Sequence, residues 1–486
     1  MRITFNKNRS VYFILLFFGI IFSSVSLVNH YNFRTYAYDL GIYNNAIYDY
    51  AHFRWNDCML MQPQFKNILS DHFNLLIIFI SPLYWIFGSY TLLVVQIAAI
   101  LFGGYGIFLF FRSRTDKEYI PLLAMIHFFS IWGIYSALSF DYHDNVVGTM
   151  FVPWFFYYFD KQDWKKALLF FSLLLISKEN MALWAIFIGI GLVLLNLKDR
   201  QKQKYAALFS VLAAVYFIVI VKAVIPSFAN DSREYLHFKY AALGNNFSEA
   251  FVTIIKHPGY VFNLLFENHL KDPDANGIKS ELHYMILISG GYTLLYRPQY
   301  LIMLIPIYAQ KLFNDDYVKW GLNVQYSIEF VPVLTIALFS WLLTIERKKY
   351  ALYVSVIATA LTFYSTISAL DHRVSKWYSP EANRFYSGSH YKRDFDVKKM
   401  HAALKLIPDN AVVSAQSPLV SHLAFRDFIY QYPDVFNSEY ILLSEKESTY
   451  PLSQEEYNKK KNEYLNSTEW EIIYNENPLL IFKRKK

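Results

Sequence analysis

Long apolar runs, separated by short polar segments, fill the first three quarters of the chain. A helix of about 20 apolar residues spans about 30 Å of hydrocarbon. The first run, residues 11–28, follows Arg2, Lys7 and Arg9, and we interpret it as an uncleaved anchor with its N-terminus inside. The pattern predicts about eleven transmembrane helices, and the further runs are 90–111, 119–137, 146–159, 167–176, 181–197, 205–225, 282–296, 300–313, 326–345 and 350–367.

Basic residues between the runs indicate the orientation. Residues 73–87 are also apolar, but Ser81-Pro82 interrupts them, and proline breaks or kinks a helix. If this segment lies in the membrane plane or re-enters it, all basic clusters fall on one side, which the positive-inside rule assigns to the cytoplasm. The clusters are the N-terminus, Arg112/Arg114/Lys117, Lys161/Lys165/Lys166, Lys198/Arg200/Lys202/Lys204 and Arg347/Lys348/Lys349.

This orientation predicts a multi-pass protein of the bacterial cytoplasmic membrane with a cytoplasmic N-terminus and an outer C-terminus. The polar outer loop 29–71 and the turns 140–145 and 178–180 then converge on the outer face. We therefore divide the chain into a membrane domain, residues 1–370, and an extracytoplasmic domain, residues 371–486.

The last quarter of the chain has the pattern of a small α/β domain. Turn signals separate short apolar segments that favour strands. The predicted strands are 411–415, 428–431, 440–443, 471–474 and 479–483, with helices at 397–406, 419–425 and 454–465. The predicted fold class is thus an all-α polytopic membrane bundle with a small C-terminal α/β soluble domain.

Composition excludes several classes of protein. Hydrophobic residues make up 55 % of the chain and charged residues 17 %, unlike an ordinary soluble enzyme. The net charge of +7 is explained by basic cytoplasmic loops, so we expect no nucleic-acid partner. The single cysteine, Cys58, excludes an intramolecular disulfide framework and a zinc site built from several cysteines.

Two acidic motifs stand at the ends of the outer loop. Asp39 follows the first helix and can orient or deprotonate a nucleophile at the mouth of a membrane cavity; its alternative role is to cap a short helix. Asp71 precedes the next apolar segment and is a plausible N-cap. His72 beside it can bind a phosphate or donate a proton, or can bond only to backbone or water.

Two further motifs lie between apolar runs. Asp141 and His143 occupy a turn with Asp144, where charged groups are costly unless they are solvated or paired. A polar turn is the simpler alternative. Lys178 and Glu179 lie between Leu-rich segments; Lys178 can offer a point charge to a lipid phosphate or can pair with Glu179 alone.

These motifs together resemble a prokaryotic family of polytopic membrane proteins long catalogued as a domain of unknown function and grouped with the GT-C glycosyltransferases. The resemblance covers nearly the whole chain. It rests on Tyr-Asp-Leu-Gly-Ile-Tyr-Asn-Asn-Ala-Ile-Tyr at 38–48, Asp71-His72-Phe73 before Ser81-Pro82-Leu83-Tyr84-Trp85, Phe140-Asp141-Tyr142-His143, Lys178-Glu179-Asn180 and residues 407–416.

The resemblance implies transfer of a sugar from a polyprenyl-phosphate-linked donor to an acceptor on the outer face, typically with inversion. It implies that Asp39 is the catalytic base or acceptor orienter. His72, Lys178 and His143 would then neutralise the leaving lipid phosphate. The full substrate-binding set is Asp71, His72, Asp141, His143, Lys178 and Glu179.

No cofactor is expected, because the first-loop motif has one acid where metal-dependent enzymes of this superfamily often have more. A divalent metal is the alternative.

Two other functions fit the same pattern. A transporter or flippase of lipid-linked sugar would have a membrane site, but transporters often show internal repeats and midplane sites. No repeat is visible in the sequence, and the polar motifs collect at one interface. A non-catalytic assembly protein would depend on its outer domain and tolerate changes at Asp39 and His143.

In the leading interpretation, a membrane glycosyltransferase, the expected partners are the lipid-linked sugar, an unidentified acceptor and membrane lipids.

Overall fold

The computed structural model describes residues 7–57, 59–61, 67–228 and 238–485, so Cys58 lies outside the described residues. The fold is mostly helical, with a small sheet near the C-terminus. The α-helices of the first half are α1 Lys7–Tyr31, α2 Ile42–Ala51, α3 Leu76–Ile80, α4 Tyr84–Phe87, α5 Thr91–Arg112, α6 Tyr119–Ser130, α7 Trp132–Leu138, α8 Asp144–Thr149, α9 Val152–Asp160, α10 Trp164–Leu175, α11 Glu179–Leu195, α12 Arg200–Val219 and α13 Ile225–Phe228.

The second half of the chain continues with helices and then alternates helices with strands. Its α-helices are α14 Phe247–Lys256, α15 Pro258–Leu264, α16 Ile278–Ile286, α17 Thr293–Tyr296, α18 Pro298–Leu312, α19 Phe330–Leu342, α20 Lys348–Asp371, α21 Pro380–Asn383, α22 Val397–Leu404, α23 Ser417–Leu423 and α24 Gln454–Leu465. Its strands are β1 Val413–Ala415, β2 Ile429–Gln431, β3 Tyr440–Ser444, β4 Trp470–Glu476 and β5 Leu479–Arg484.

Short π and 3-10 segments link or interrupt these helices. The π segments are Ala37–Gly41, Ile220–Val224 and Leu287–Gly291. The 3-10 segments are Met59–Met61, Ile68–Ser70, Ser81–Leu83, Gly88–Tyr90, Pro273–Ala275, Tyr317–Trp320 and Gly388–Tyr391.

The prediction of about eleven membrane spans is wrong. Within the described residues, four helical stretches are long and apolar enough to cross a membrane, and a fifth counts if one bent pair forms a single span. The four are Arg9–Tyr31, Leu76–Arg112, Arg200–Phe228 and Lys348–Asp371, and the bent pair is Tyr119–Ser130 with Trp132–Leu138.

The excess in the predicted count comes from apolar runs that fold into short helices. The run 146–159 divides into α8 and α9, and all but the last residue of the run 167–176 lies within the 12-residue helix α10. A helix of that length rises only about 18 Å, well short of the hydrocarbon thickness. These short helices are apolar because they pack inside the bundle, where Phe155, Phe171 and Leu174 are buried.

The bundle core is formed by the long helices together with these short ones. Helix α11 packs along α12 and α18. Gly189 on α11 faces Ser210 and the Ala206 carbonyl of α12, and a Cβ atom at Gly189 would collide with both. Small residues therefore bring α11 and α12 into close contact, as is common between membrane helices.

The sheet has the strand order β2-β1-β3-β5-β4. Strand β1 runs parallel to β2 and β3, and β5 runs antiparallel to β3 and β4. All five predicted strands are confirmed, with ends shifted by at most two residues. Turn residues such as Asn477-Pro478 marked the strand boundaries correctly because they interrupt the apolar alternation.

The sheet region packs directly on the outer loop. One buried cluster joins Leu40 and Ile47 of the loop with Leu419, Val420 and the strand residues of the sheet. Side chains of the loop also bond to backbone carbonyls of the C-terminal part, since Asn45 Nδ2 donates to the carbonyls of Ala424 and Arg426 at 3.1 and 3.0 Å. This packing fixes the segment that carries Asp39.

Candidate functional site

Asp39 lies within the π segment Ala37–Gly41, directly after the first long helix. The amide N–H groups of Tyr36 and Leu40 donate to Oδ2 of Asp141 at 2.7 and 3.4 Å. Asp141 itself has a positive φ of 54° at a tight turn. Burial raises the pKa of Asp141, and the Asp39 carboxylate raises it further. Asp141 thus holds the backbone that presents Asp39.

His143 faces the carboxylate of Asp39. Its Nε2 atom lies 3.2 Å from Asp39 Oδ1, and the His143 side chain is buried while that of Asp39 is 30 % exposed. The Gln96 side chain of α5 positions the turn, because it accepts from the His143 N–H and donates to the Asp141 carbonyl, both at 2.9 Å. Phe140 stacks on the imidazole. The pair is therefore rigid on the histidine side and accessible on the carboxylate side.

Asp144, the residue after His143, is a further polar group of this region, and its side chain is buried. Its Oδ2 accepts from the Tyr43 hydroxyl at 2.6 Å, and its Oδ1 accepts from the Asn74 amide. Tyr43 belongs to α2 and Asn74 to the segment before α3, so Asp144 connects three parts of the outer face. Burial raises the pKa of Asp144, and the nearby Lys178 ammonium opposes that rise.

His72 and Glu179 meet across the same face. The His72 Nδ1 atom lies 3.0 Å from Glu179 Oε1, and the Phe73 N–H donates to Glu179 Oε2 at 3.1 Å. The expectation that Asp71 caps the following helix is wrong, since α3 begins at Leu76 and Asn74 Oδ1 accepts the Leu76 N–H. Asp71 instead lies near His72: burial lowers the pKa of the imidazole, and the Glu179 and Asp71 carboxylates raise it.

Lys178 is a nearly buried cation, with 7 % of its surface exposed. The alternative that it simply pairs with Glu179 is not realised as a contact: among the described residues, its ammonium makes no hydrogen bond or ion pair. Burying a charge without a partner is costly. An anion that enters beside Lys178 would therefore be attracted by an ammonium group that is removed from water and has no other partner among the described residues.

A second cation approaches from the segment before α19. The Lys319 ammonium lies 5.3 Å from the centre of the Tyr326 ring. Burial lowers the pKa of Lys319, the Asp316 carboxylate opposes that shift, and neighbouring Lys178 adds to it. Tyr326 in turn is close enough to Asp39 that burial first, and then the Asp39 carboxylate, raises its pKa. Tyr326 and Lys319 thus connect the acidic and basic parts of the site.

Buried polar atoms without partners surround this region. The described part of the chain leaves the acceptor or donor atoms His143 Nδ1, Asp141 Oδ1, Asn145 Oδ1, Asn180 Oδ1 and Gln325 Oε1 unsatisfied. Native proteins satisfy nearly all such atoms with protein, water or ligand. These five atoms are available to a polar molecule that enters beside Asp39 and Lys178. Asn145 also donates to Glu329 Oε1 at 2.8 Å, which brings Glu329 to the same site.

Over residues 7–57, 59–61, 67–228 and 238–485, no group of three or more His, Cys, Asp or Glu side chains is placed to hold a metal ion. Asp39 and His143 could supply two ligands at most.

Sequence reasoning missed Gln96, Tyr43 and Lys319. Gln96 gave one signal, as a lone amide inside the apolar run of α5, where a polar side chain needs a partner. Tyr43 belongs to the motif 38–48, but the motif does not indicate its hydrogen bond to Asp144. Lys319 gave no signal, because its contact with Tyr326 depends on how the segment before α19 packs.

Comparison with known proteins identifies a family without an assigned activity. Residues 29–481 match the sequence model of a family described as "Predicted membrane protein (DUF2079)". No curated protein matches the chain.

Proposed function

The chain belongs to the DUF2079 family of predicted membrane proteins, and within that family we propose that it is a membrane glycosyltransferase of GT-C type. It transfers a sugar from a polyprenyl-phosphate-linked donor to an acceptor hydroxyl on the outer face of the cytoplasmic membrane. Residues 1–370 form the membrane domain, residues 371–486 form the extracytoplasmic domain, and no cofactor takes part.

One observation carries this proposal: an accessible carboxylate and a buried, unengaged ammonium occupy the same polar region. Asp39 is 30 % exposed and Lys178 is 7 % exposed. Transfer from a lipid phosphate requires a base at the attacking hydroxyl and positive charge at the departing phosphate. Asp39 supplies the first and Lys178 the second.

The chemical step moves the sugar from the donor phosphate to the acceptor oxygen. The acceptor oxygen attacks the anomeric carbon of the donor sugar, and the bond from that carbon to the phosphate oxygen breaks. The hydroxyl proton passes to Asp39. The polyprenyl phosphate leaves with its electron pair, and Lys178, with Lys319 nearby, balances its negative charge. His143 holds the Asp39 carboxylate toward the acceptor.

The remaining predicted residues organise the site. Glu179 fixes His72 and the backbone of Phe73, which begin the segment leading to α3. Asp141 fixes the π segment that carries Asp39, and Asp71 contributes negative charge beside His72. In this proposal His72 contacts the donor phosphate, and the positioning residues act through their neighbours.

The test compares wild type with Asp39→Asn for transfer of radiolabelled sugar from membrane polyprenyl-phosphate donors to endogenous acceptors. Asp163→Asn is the control, because Asp163 is a partly exposed carboxylate before α10, outside the site, where asparagine can also cap the helix. We expect Asp39→Asn to lower transfer by about a hundredfold or more at equal protein abundance, and Asp163→Asn to transfer normally.

Equal transfer by Asp39→Asn and wild type would remove Asp39 from the mechanism. If neither protein transfers sugar, and cells lacking the chain accumulate lipid-linked sugar on one leaflet, the flippase function replaces the transferase.

A further inference from the structure

A polar cavity lies at the end of the bundle opposite to Asp39. Helix α11 begins at Glu179 in the candidate site and ends beside Asn196 in this cavity. Helices α5 and α19 likewise run from the candidate site to the cavity. A rise of 1.5 Å over the 17 residues of α11 separates the two regions by about 25 Å. The cavity is therefore independent of the proposed transfer site.

The cavity has a volume of about 180 Å³. Liquid water occupies about 30 Å³ per molecule, so the space suffices for a phosphate group with part of its ester. Its wall combines aromatic and aliphatic side chains such as Phe110 and Leu192 with the polar groups of Arg114, Asp160 and Arg297.

The cations of this cavity outnumber its carboxylates. Arg114 donates to both oxygens of Asp160, from Nε at 2.9 Å and Nη2 at 2.8 Å. Lys202 donates to the same carboxylate at 3.1 Å. Arg297 lines the cavity, and in the described part of the chain its guanidinium makes no hydrogen bond or ion pair. The Arg297 guanidinium is thus available to bind a ligand, and the groups around it carry a net positive charge.

We propose that this cavity binds the phosphate group of an anionic phospholipid, with Arg297 as the principal contact. A planar guanidinium binds phosphate oxygens in bidentate geometry. The apolar wall packs against the ester carbons next to the phosphate. Basic pockets between membrane helices are suited to anionic headgroups, and the basic clusters at residues 112–117, 161–166 and 198–204 surround this end of the bundle.

The experiment titrates the purified full-length chain in detergent with phosphatidylglycerol or phosphatidylcholine and follows bound lipid by native mass spectrometry. We expect a preference for phosphatidylglycerol that Arg297→Gln weakens about tenfold, the value of one charge-assisted hydrogen bond. Arg297→Lys should retain part of it, because it keeps the charge. Arg347→Gln is the control, since Arg347 is exposed on a neighbouring basic cluster and lies outside the cavity.

Inorganic phosphate is titrated in parallel to distinguish the source of the phosphate. Displacement of phosphatidylglycerol from wild type by millimolar phosphate would support the site and point to a soluble phosphate ligand. The proposal is overturned if wild type shows no preference for the anionic lipid, or if Arg347→Gln weakens binding as much as Arg297→Gln. The wild-type titration decides the first point even if the Arg297 variants fold poorly.

Discussion

The Nε2 atom of His143 lies 3.2 Å from the Asp39 carboxylate, although 104 positions separate the two residues in the chain. The contact requires three supports: Gln96 holds the histidine turn, Asp141 holds the π segment, and the C-terminal part packs behind that segment. Such an arrangement orients the carboxylate while leaving it accessible, which a base at the mouth of a cavity needs.

His143→Gln should lower transfer by about tenfold or more without lowering protein abundance. The imidazole Nε2 holds the Asp39 carboxylate in position, and glutamine moves that contact while keeping a polar side chain. The loss should therefore appear in kcat and not in the thermal unfolding midpoint. Rate measured against acceptor concentration, with thermal unfolding of both proteins, provides the check. An unchanged rate, or a slower rate that a lowered unfolding midpoint accounts for, would reduce His143 to a packing residue.

Lys178→Met should reduce donor transfer by about a hundredfold and change the free energy of unfolding by less than about 1 kcal/mol. Its ammonium has no bonded partner among the described residues, so its removal leaves no acceptor unsatisfied.

Lys311→Met is the matched control, because Lys311 is also buried but donates to the Gly321 carbonyl at 2.8 Å. Loss of that donor should cost about 1–3 kcal/mol. Thermal unfolding of both variants and the KM for donor check the pair. Similar destabilisation by both substitutions would show that Lys178 has a structural role.

Arg34→Ala should loosen the C-terminal part from the outer loop. The buried guanidinium donates to the carbonyls of Glu381, His390 and Lys392 at 2.9, 2.8 and 3.2 Å. Burial lowers the pKa of Arg34 to about 10, so it remains charged at neutral pH. Its removal should cost about 3 kcal/mol and speed amide hydrogen exchange across residues 381–392.

Arg54→Ala provides the comparison for that experiment. Arg54 also links the outer loop to the C-terminal part, through Asp427 at 2.7 Å, but its side chain is 44 % exposed. Exposed ion pairs contribute little, so we expect less than about 1 kcal/mol. Equal exchange in the two variants would contradict the role given to Arg34.

The sequence predicted the polar residues of the site better than their contacts. Asp141, His143, Lys178 and Glu179 were recognisable because charged groups between apolar runs need a solvated or paired environment. The pairing of His143 with Asp39 and of His72 with Glu179 depends on tertiary packing, which no local pattern contains. The spatial convergence of Tyr326 and Lys319 was invisible for the same reason.

The number of spans was overestimated for a related reason. Hydropathy measures whether a helix avoids water, and a short helix buried among protein side chains avoids it as well as one in lipid. Helices α9 and α10 are examples, since they are apolar and too short to cross. The strands were easier to predict because turn residues bounded each one.

Glu447 should make stability depend on pH in the C-terminal part of the chain. Its carboxylate is 7 % exposed and lies 2.5 Å from Arg393. Burial raises the pKa of Glu447 to about 7, although Arg393 opposes the shift. Because the folded state then binds the proton more tightly than the unfolded state, stability should fall as pH rises from the ordinary glutamate range of about 4.3 toward 7, by about 3 kcal/mol.

The variant Glu447→Gln should lose this dependence of stability on pH. The control is Glu445→Gln, which should keep it, because Glu445 is an exposed carboxylate bonded to Lys461 at 2.8 Å. Thermal unfolding midpoints at pH 5 and pH 8 measure the difference, and identical slopes in wild type and Glu447→Gln would show that Glu447 is ionised in the folded protein throughout that range.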